Sequence, residues 1–245
     1  MLALRTFLNK YRSSRGEAAN LLDLRKGKYL IPPEKRGLFY ELYFDAVPEF
    51  TEEHCLSLAF APSAHEVQPL CLDLDFKTKE RPAHDTELYI QFAIEFASLL
   101  GEGGNSWYIV AKPSPYEAAL KKGNVWKSGC HIYYPCGDVR VDDIRKLRCT
   151  GADLVRKVFD SVDYINGEDD VLDECVPLRR NGLMLAGTFK RGRGTGGRYN
   201  VVAEGYQSEG CAQVVRYEGL EWLEEVPMRC LYDFAFDHHK VSPTK

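Results

Sequence analysis

The stretch PLCLDLDFK, residues 69–77, decides how this chain is read. It is a short apolar run ended by a lysine, and its composition predicts a strand over Pro69–Lys77. Side chains at i and i+2 of a strand leave from the same face. Asp73 and Asp75 therefore stand roughly 6–7 Å apart at their Cα atoms, while Leu72, Leu74 and Phe76 turn to the other face. Two carboxylates on one side of an apolar strand repel each other and lose hydration, and a divalent cation answers both problems. Oxygen ligands alone suit Mg²⁺ or Mn²⁺ rather than zinc. Taken by itself, the pair also fits a plainer reading, an acidic strand face in contact with solvent.

Working outward, the polar loop KTKERPAHD leads into TELYIQFAIEFASLLGEG, whose spacing predicts a helix with Asp85 or Thr86 as its N-cap and Gly101 near its end. Strands are expected over Trp107–Pro113 and Lys127–Pro135. A helix is expected from Val141, with Asp142 and Asp143 in its first turn, where they suit the helix dipole. The segments around Val171–Val176 and Leu183–Phe189 read as further strands. Upstream, a helix is predicted over Ala3–Lys10, Pro32 and Pro33 interrupt the chain, and RGLFYELYFDAV fits either helix or strand. This order predicts a sheet with helices packed on one side.

Composition narrows the class. A chain of 245 residues with 44% hydrophobic and 28% charged residues can bury a core without staples, and no apolar run reaches the length of a membrane span. Charges follow the short apolar start at once, so an intracellular rather than a secreted protein is expected. The eight cysteines include no CxxC pair, which signals neither a disulfide framework nor a zinc ribbon. His54 with Cys55, or Cys130, His131 and Cys136, lack closed-site spacing, and structural zinc is not expected. A net charge of −4 argues against coating nucleic acid through the whole surface. Local charge must act instead, and Arg179, Arg180, Lys190, Arg191, Arg193 and Arg198 fall in a stretch, residues 178–198, that holds no acidic residue. Its glycine-rich part, RGRGTGGR at 191–198, reads as a mobile basic loop over nucleic acid. No GxxxxGK[ST] phosphate loop occurs, so no helicase motor is encoded in these residues.

Two more segments carry chemistry. In KSGCHIYYP, Gly129 lets backbones approach closely, His131 can donate to a phosphate oxygen, and Lys127 adds a point charge beside Ser128. A core histidine bonded to a carbonyl is the alternative reading for His131, and a surface residue for Lys127. In DECVPLRRNGLMLAGTFK, Asp173 stands in an acidic cluster that could equally be a solvated loop. Lys190 follows the small residues Gly187 and Thr188, which would give an anion access to it.

The ordered trio of LDLDF, SGCHIYYP and an acid followed by an arginine-bearing segment ending in GTFK resembles the archaeo-eukaryotic primase superfamily. It is most similar to the primase halves of large DNA virus primase-helicases and to eukaryotic primase-polymerases. The likeness covers about residues 69–190. It implies an α+β fold: an RRM-like catalytic core over 67–240, with a mixed or antiparallel sheet and packed helices, joined by an N-terminal α/β subdomain over 1–66. It also implies primer synthesis on a single-stranded DNA template from nucleoside triphosphates with two Mg²⁺ or Mn²⁺ ions. By this likeness Asp73, Asp75 and Asp173 hold metal, and His131, Lys127, Ser128, Gly129, Arg179 or Arg180, and Lys190 bind nucleotide. Arg191, Arg193 and Arg198 touch nucleic acid. Two departures stand out. Gly129 replaces a frequent serine, and Met184 stands where relatives carry arginine. The expected setting is the site of DNA replication, nuclear or cytoplasmic, with a helicase domain or replication proteins as partners. A primer-extending repair polymerase and a non-catalytic replisome module are the rival readings.

Overall fold

The computed structural model describes residues 1–14, 19–24, 27–60, 67–82, 85–101, 105–120, 123–173, 183–190, 197–208 and 211–226. The amino-terminal part begins with α1 (Leu2–Lys10) and the short strands β1 (Leu21–Asp23) and β2 (Gly27–Tyr29), followed by α2 (Arg36–Ala46) and β3 (Leu58–Phe60). The ambiguous RGLFYELYFDAV is helix α2. Its buried residues Phe39, Tyr40, Tyr43 and Ala46 recur at helical spacing, with Leu42 and Phe44 partly buried beside them. The tandem prolines lie just ahead of it, where no intrahelical N–H is needed.

The second part carries β4 (Val67–Thr78), α3 (Thr86–Ala97), β5 (Ser106–Ala111), β6 (Tyr116–Leu120), β7 (Gly123–Arg140), α4 (Val141–Val158), α5 (Glu168–Val171), β8 (Leu183–Met184), β9 (Asn200–Ser208), β10 (Cys211–Arg216) and α6 (Trp222–Glu225). Helix α3 starts as expected, with Asp85 accepting from the Glu87 amide at 2.9 Å. The larger sheet has the order β10-β9-β5-β7-β4, with β6 paired to β7, and all its pairings are antiparallel. Helices α3 and α4 pack on one of its faces over Leu72, Leu74, Phe76, Ile109 and Ile132. The arrangement is α+β, as the sequence implied, with β4, α3, β5, β7 and α4 in RRM-like succession.

Several sequence expectations need correction. The opposite sheet face is not bare: Cys71, Val110, Tyr133 and Val201 share a core with α1, α2 and the small sheet β2-β1-β3-β8. Strand β8 also pairs antiparallel with β3, so the small sheet draws its strands from both parts of the chain. Of the strand expected around Val171–Val176, Val171 instead ends helix α5, Leu172 makes an isolated bridge to Leu74, and 174–176 lie outside the described residues. The expected strand Leu183–Phe189 shortens to two residues because the chain turns at Gly187, whose φ is +90° and where a Cβ would press on the Val47 methyls at 2.8 Å. Strands β6, β9 and β10 were not foreseen.

Candidate active site

The site grows from the pairing of β4 with β7. Register sets Asp73 opposite His131, Asp75 opposite Gly129 and Lys77 opposite Lys127. Cross-strand partners share a face, so the strip of two acids, a histidine and two lysines faces away from α3 and α4. His131 Nε2 lies 3.6 Å from Asp73 Oδ1. Lys127 Nζ donates to both Asp75 oxygens, at 2.7 and 3.1 Å, and Lys77 stands 4.0 Å off.

Gly129 is what lets the strands close here. Its φ is +154°, and a Cβ would collide with the Leu74 carbonyl between the two acids. Replacing it with Ala or with the serine common elsewhere therefore forces β4 and β7 apart. The expected cost is about 2–3 kcal/mol, combining backbone strain with the lost approach. A denaturant midpoint equal to that of the unmodified protein would overturn this.

The third acid arrives along the free edge of β4. Tyr164 and Leu172 form isolated antiparallel bridges to Thr78 and Leu74. Asn166 accepts from the Lys77 amide at 2.9 Å and donates to the Asp75 carbonyl at 2.8 Å. The Asp173 amide then donates to the Asp73 carbonyl at 2.9 Å. Arg148, on α4, grips the preceding Leu172 carbonyl with Nε and a terminal nitrogen at 3.0 and 2.7 Å. Edge strand and helix thus bring Asp173 to the cavity that Asp73 and Asp75 line. Neither Asn166 nor Arg148 was singled out by sequence, because each acts on main-chain atoms of a segment whose path only the fold reveals.

The cavity, about 350 Å³, is also lined by Leu24, Lys112, Tyr116, Lys127, His131, Met184, Lys190 and Tyr199. The Asp73 carboxyl is pushed up to about 7 by burial, then by Asp75 and Asp173, with Lys190 and Lys127 opposing. His131 is pushed down to about 3 by burial and by Lys190 and Lys112. It is therefore a neutral imidazole at neutral pH, stacked on Tyr199 with centroids 5.4 Å apart, and its Nδ1 faces the Tyr133 hydroxyl at 3.5 Å. The pair with Asp73 is accordingly no ion pair.

Three carboxyl groups gathered at one cavity offer oxygen donors alone, the donor chemistry a hard divalent cation suits. By that test the residues fit such an ion. The fit is chemical rather than a ready-made cage, since among the described residues no group of three or more His, Cys, Asp or Glu already stands at ligating separation. Cys130 and His131, adjacent on β7, leave from opposite faces, with Cys130 in the core under α3, so they cannot share an ion.

The remaining sequence expectations divide. Lys190 lines the cavity, but Gly187 and Thr188 before it are buried and serve packing: Thr188 Oγ1 donates to the Leu185 carbonyl at 2.6 Å, and the Tyr43 hydroxyl donates to the Ala186 carbonyl at 2.6 Å. Ser128 also lines the cavity. Its parity on β7 turns its hydroxyl to Tyr89 on α3, leaving main chain toward the cavity. Arg198 donates to the Phe50 carbonyl at 2.6 Å and lies over the Phe189 ring, so it braces the fold. Arg179, Arg180, Arg191 and Arg193 lie outside the described residues. Lys112, Tyr116 and Tyr199 were missed; a lysine before a proline and two tyrosines far apart in sequence, one on β6 and one just ahead of β9, give no local signal.

A family model described as the C962R protein N-terminal AEP domain, where AEP denotes archaeo-eukaryotic primase, matches residues 21–203. A protein of Acanthamoeba polyphaga mimivirus named as a helicase is 27% identical over 205 residues, 76% of this chain and 20% of that protein. The chain thus spans about a fifth of that relative's length.

Proposed function

We propose, from the premise that this chain belongs to the family of the C962R protein N-terminal AEP domain, that it synthesises primers on single-stranded DNA by template-directed nucleotidyl transfer. Primase-like nucleotidyl transfer is the chemistry of the family; the priming activity and the roles below are our reading. The observation that carries it is the gathering of Asp73, Asp75 and Asp173 with His131, Lys127 and Lys190 around one cavity.

In this reading Asp73, Asp75 and Asp173 hold two Mg²⁺ or Mn²⁺ ions. Such ions, when bound, neutralise charge on the attacking and leaving oxygens of an in-line displacement. The protein's own part is positioning. Lys127 holds the Asp75 carboxylate in place through both of its oxygens. Neutral His131 presents a ring N–H to a phosphate oxygen without adding charge, held by the Tyr199 stack and the Tyr133 hydroxyl. Lys190, at the cavity rim, supplies a point charge to the triphosphate. Residues 1–66 act as part of the catalytic unit, with Leu24 as their contribution to the cavity wall, and 67–240 as its core. Because the mimivirus relative is named as a helicase and is about five times longer than the matched part, we place a helicase segment, joined or separate, among the partners.

The deciding experiment offers the protein unprimed single-stranded DNA, primed DNA, and labelled ribo- and deoxynucleoside triphosphates with Mg²⁺ or Mn²⁺. Products on unprimed template are expected. Products on primed template alone would replace priming by extension, and binding of template without incorporation of either nucleotide would leave a non-catalytic module.

A further inference from the structure

Lys112, just past the end of β5, is not used in the mechanism above, and its surroundings are unusual for a lysine. It is 6% exposed, and among the described residues its Nζ has no hydrogen-bond partner. Instead the ammonium sits 3.8 Å from the centre of the Tyr116 ring and 5.1 Å from that of Tyr199. Tyr199 is the ring that stacks on His131, so Lys112 stands one aromatic layer behind the histidine, in the wall of the same cavity.

Two aromatic faces compensate only part of what burying an ammonium costs. Burial first, then Lys190 and Lys127, push its ionisation down to about 7, with Asp75 and Asp73 opposing. The larger of these two, Asp75, is already engaged by Lys127 at 2.7 Å. The neighbours therefore leave Lys112 short of negative charge, and three lysines sense one another across a single cavity. A monovalent anion would relieve Lys112 alone. A chain of linked phosphates, with several charges strung out in a row, can relieve Lys112 and also lie against the other lysines that line the cavity.

We infer that Lys112 is a polyphosphate-gripping residue, advancing on its four-carbon stem from between Tyr116 and Tyr199 to contact the phosphate chain of the incoming nucleotide. This deepens the nucleotidyl-transfer reading and rests on it for the nucleotide, though not for the phosphate chain itself. A purely structural role, an ammonium plugging an aromatic slot, is the competing account.

The two accounts separate on one variant, Lys112→Met, which keeps length and removes charge. Calorimetry measures inorganic tripolyphosphate, a nucleoside triphosphate and the bare nucleoside against the full chain, beside a thermal melt. The inference expects at least tenfold weaker binding of tripolyphosphate and nucleoside triphosphate, little change for the nucleoside, and a melting temperature equal to or above that of the unmodified protein. Unchanged tripolyphosphate affinity overturns it, as does failure of the unmodified protein to bind tripolyphosphate. Lost affinity with a melting temperature lower by several degrees overturns it in favour of the plug. Should Lys112 prove necessary for tripolyphosphate binding while the unmodified protein incorporates no nucleotide, nucleotidyl transfer falls and the phosphate grip stands. Should incorporation proceed and Lys112→Met bind normally, only the grip falls.

Discussion

Asp73→Asn and Asp75→Asn each remove nucleotide incorporation, by about 10³-fold or more, while leaving a folded protein. Charge stabilisation of a phosphoryl transition state by held cations amounts to several kcal/mol, and each 1.4 kcal/mol is tenfold in rate. An amide keeps the shape of the carboxylate but not its charge, so the strand pairing that aligns Asp73 with His131 and Asp75 with Gly129 survives. The two variants differ in their side effects. Asn at 75 also releases Lys127, whose ammonium is otherwise tied to that carboxylate at 2.7 Å, whereas Asn at 73 releases nothing of the kind. Lys77→Ala serves as the control, because its ammonium lies 4.0 Å from Asp75 at the strip's outer end and its loss should cost less than threefold. Incorporation of labelled nucleotide with Mn²⁺, beside a circular dichroism spectrum, reads the result. Near-normal turnover by either Asn variant would sink the assignment of these acids.

Much of this was readable in the sequence, and the reasons for the remainder are specific. Period-two alternation in PLCLDLDFK places the two acids on one face and three apolar residues on the other, because side chains of an extended strand alternate between its two faces. Helix α3 declared both its cap and its apolar stripe. By contrast, β10 (CAQVVR) is an exposed edge strand whose apolar residues do not alternate with polar ones, and the segment 164–173 pairs with β4 through two isolated bridges and several side-chain contacts, so neither carries a periodic signal. Tertiary context also reversed one inference: the small residues before Lys190 looked like an open approach, but Gly187 is packed against Val47 and sets the turn. Lys112 was invisible for a like reason. Its partners Tyr116 and Tyr199 come from β6 and from the approach to β9, and only folding places them about its ammonium.

The second large effect is on stability, and its sign depends on pH. A carboxyl held at about 7 in the folded state and 3.8 ordinarily binds its proton more tightly when folded. Its contribution is therefore most favourable at acid pH and is lost as pH rises from about 4 through about 7, at a ceiling of about 1.4 kcal/mol per pH unit and about 4 kcal/mol in all. His131 works the other way. With its folded value near 3 against 6.5, it costs stability as pH falls below about 6.5. Between about 4 and 6.5 the two slopes oppose each other and the unmodified protein should change little. Asp73→Asn removes the first slope alone. In chelator at pH 8, where the ionised carboxylate is a burden, this variant should be more stable than the unmodified protein, and below pH 6 it should lose stability steadily because only the histidine remains. Divalent cation should then raise the denaturant midpoint of the unmodified protein at pH 8 and leave that of the variant nearly still, since ligand stabilises only the state that binds it. Equal midpoints for the two proteins at pH 8, with and without Mg²⁺, would mean that Asp73 carries no such burden and that no cation relieves it.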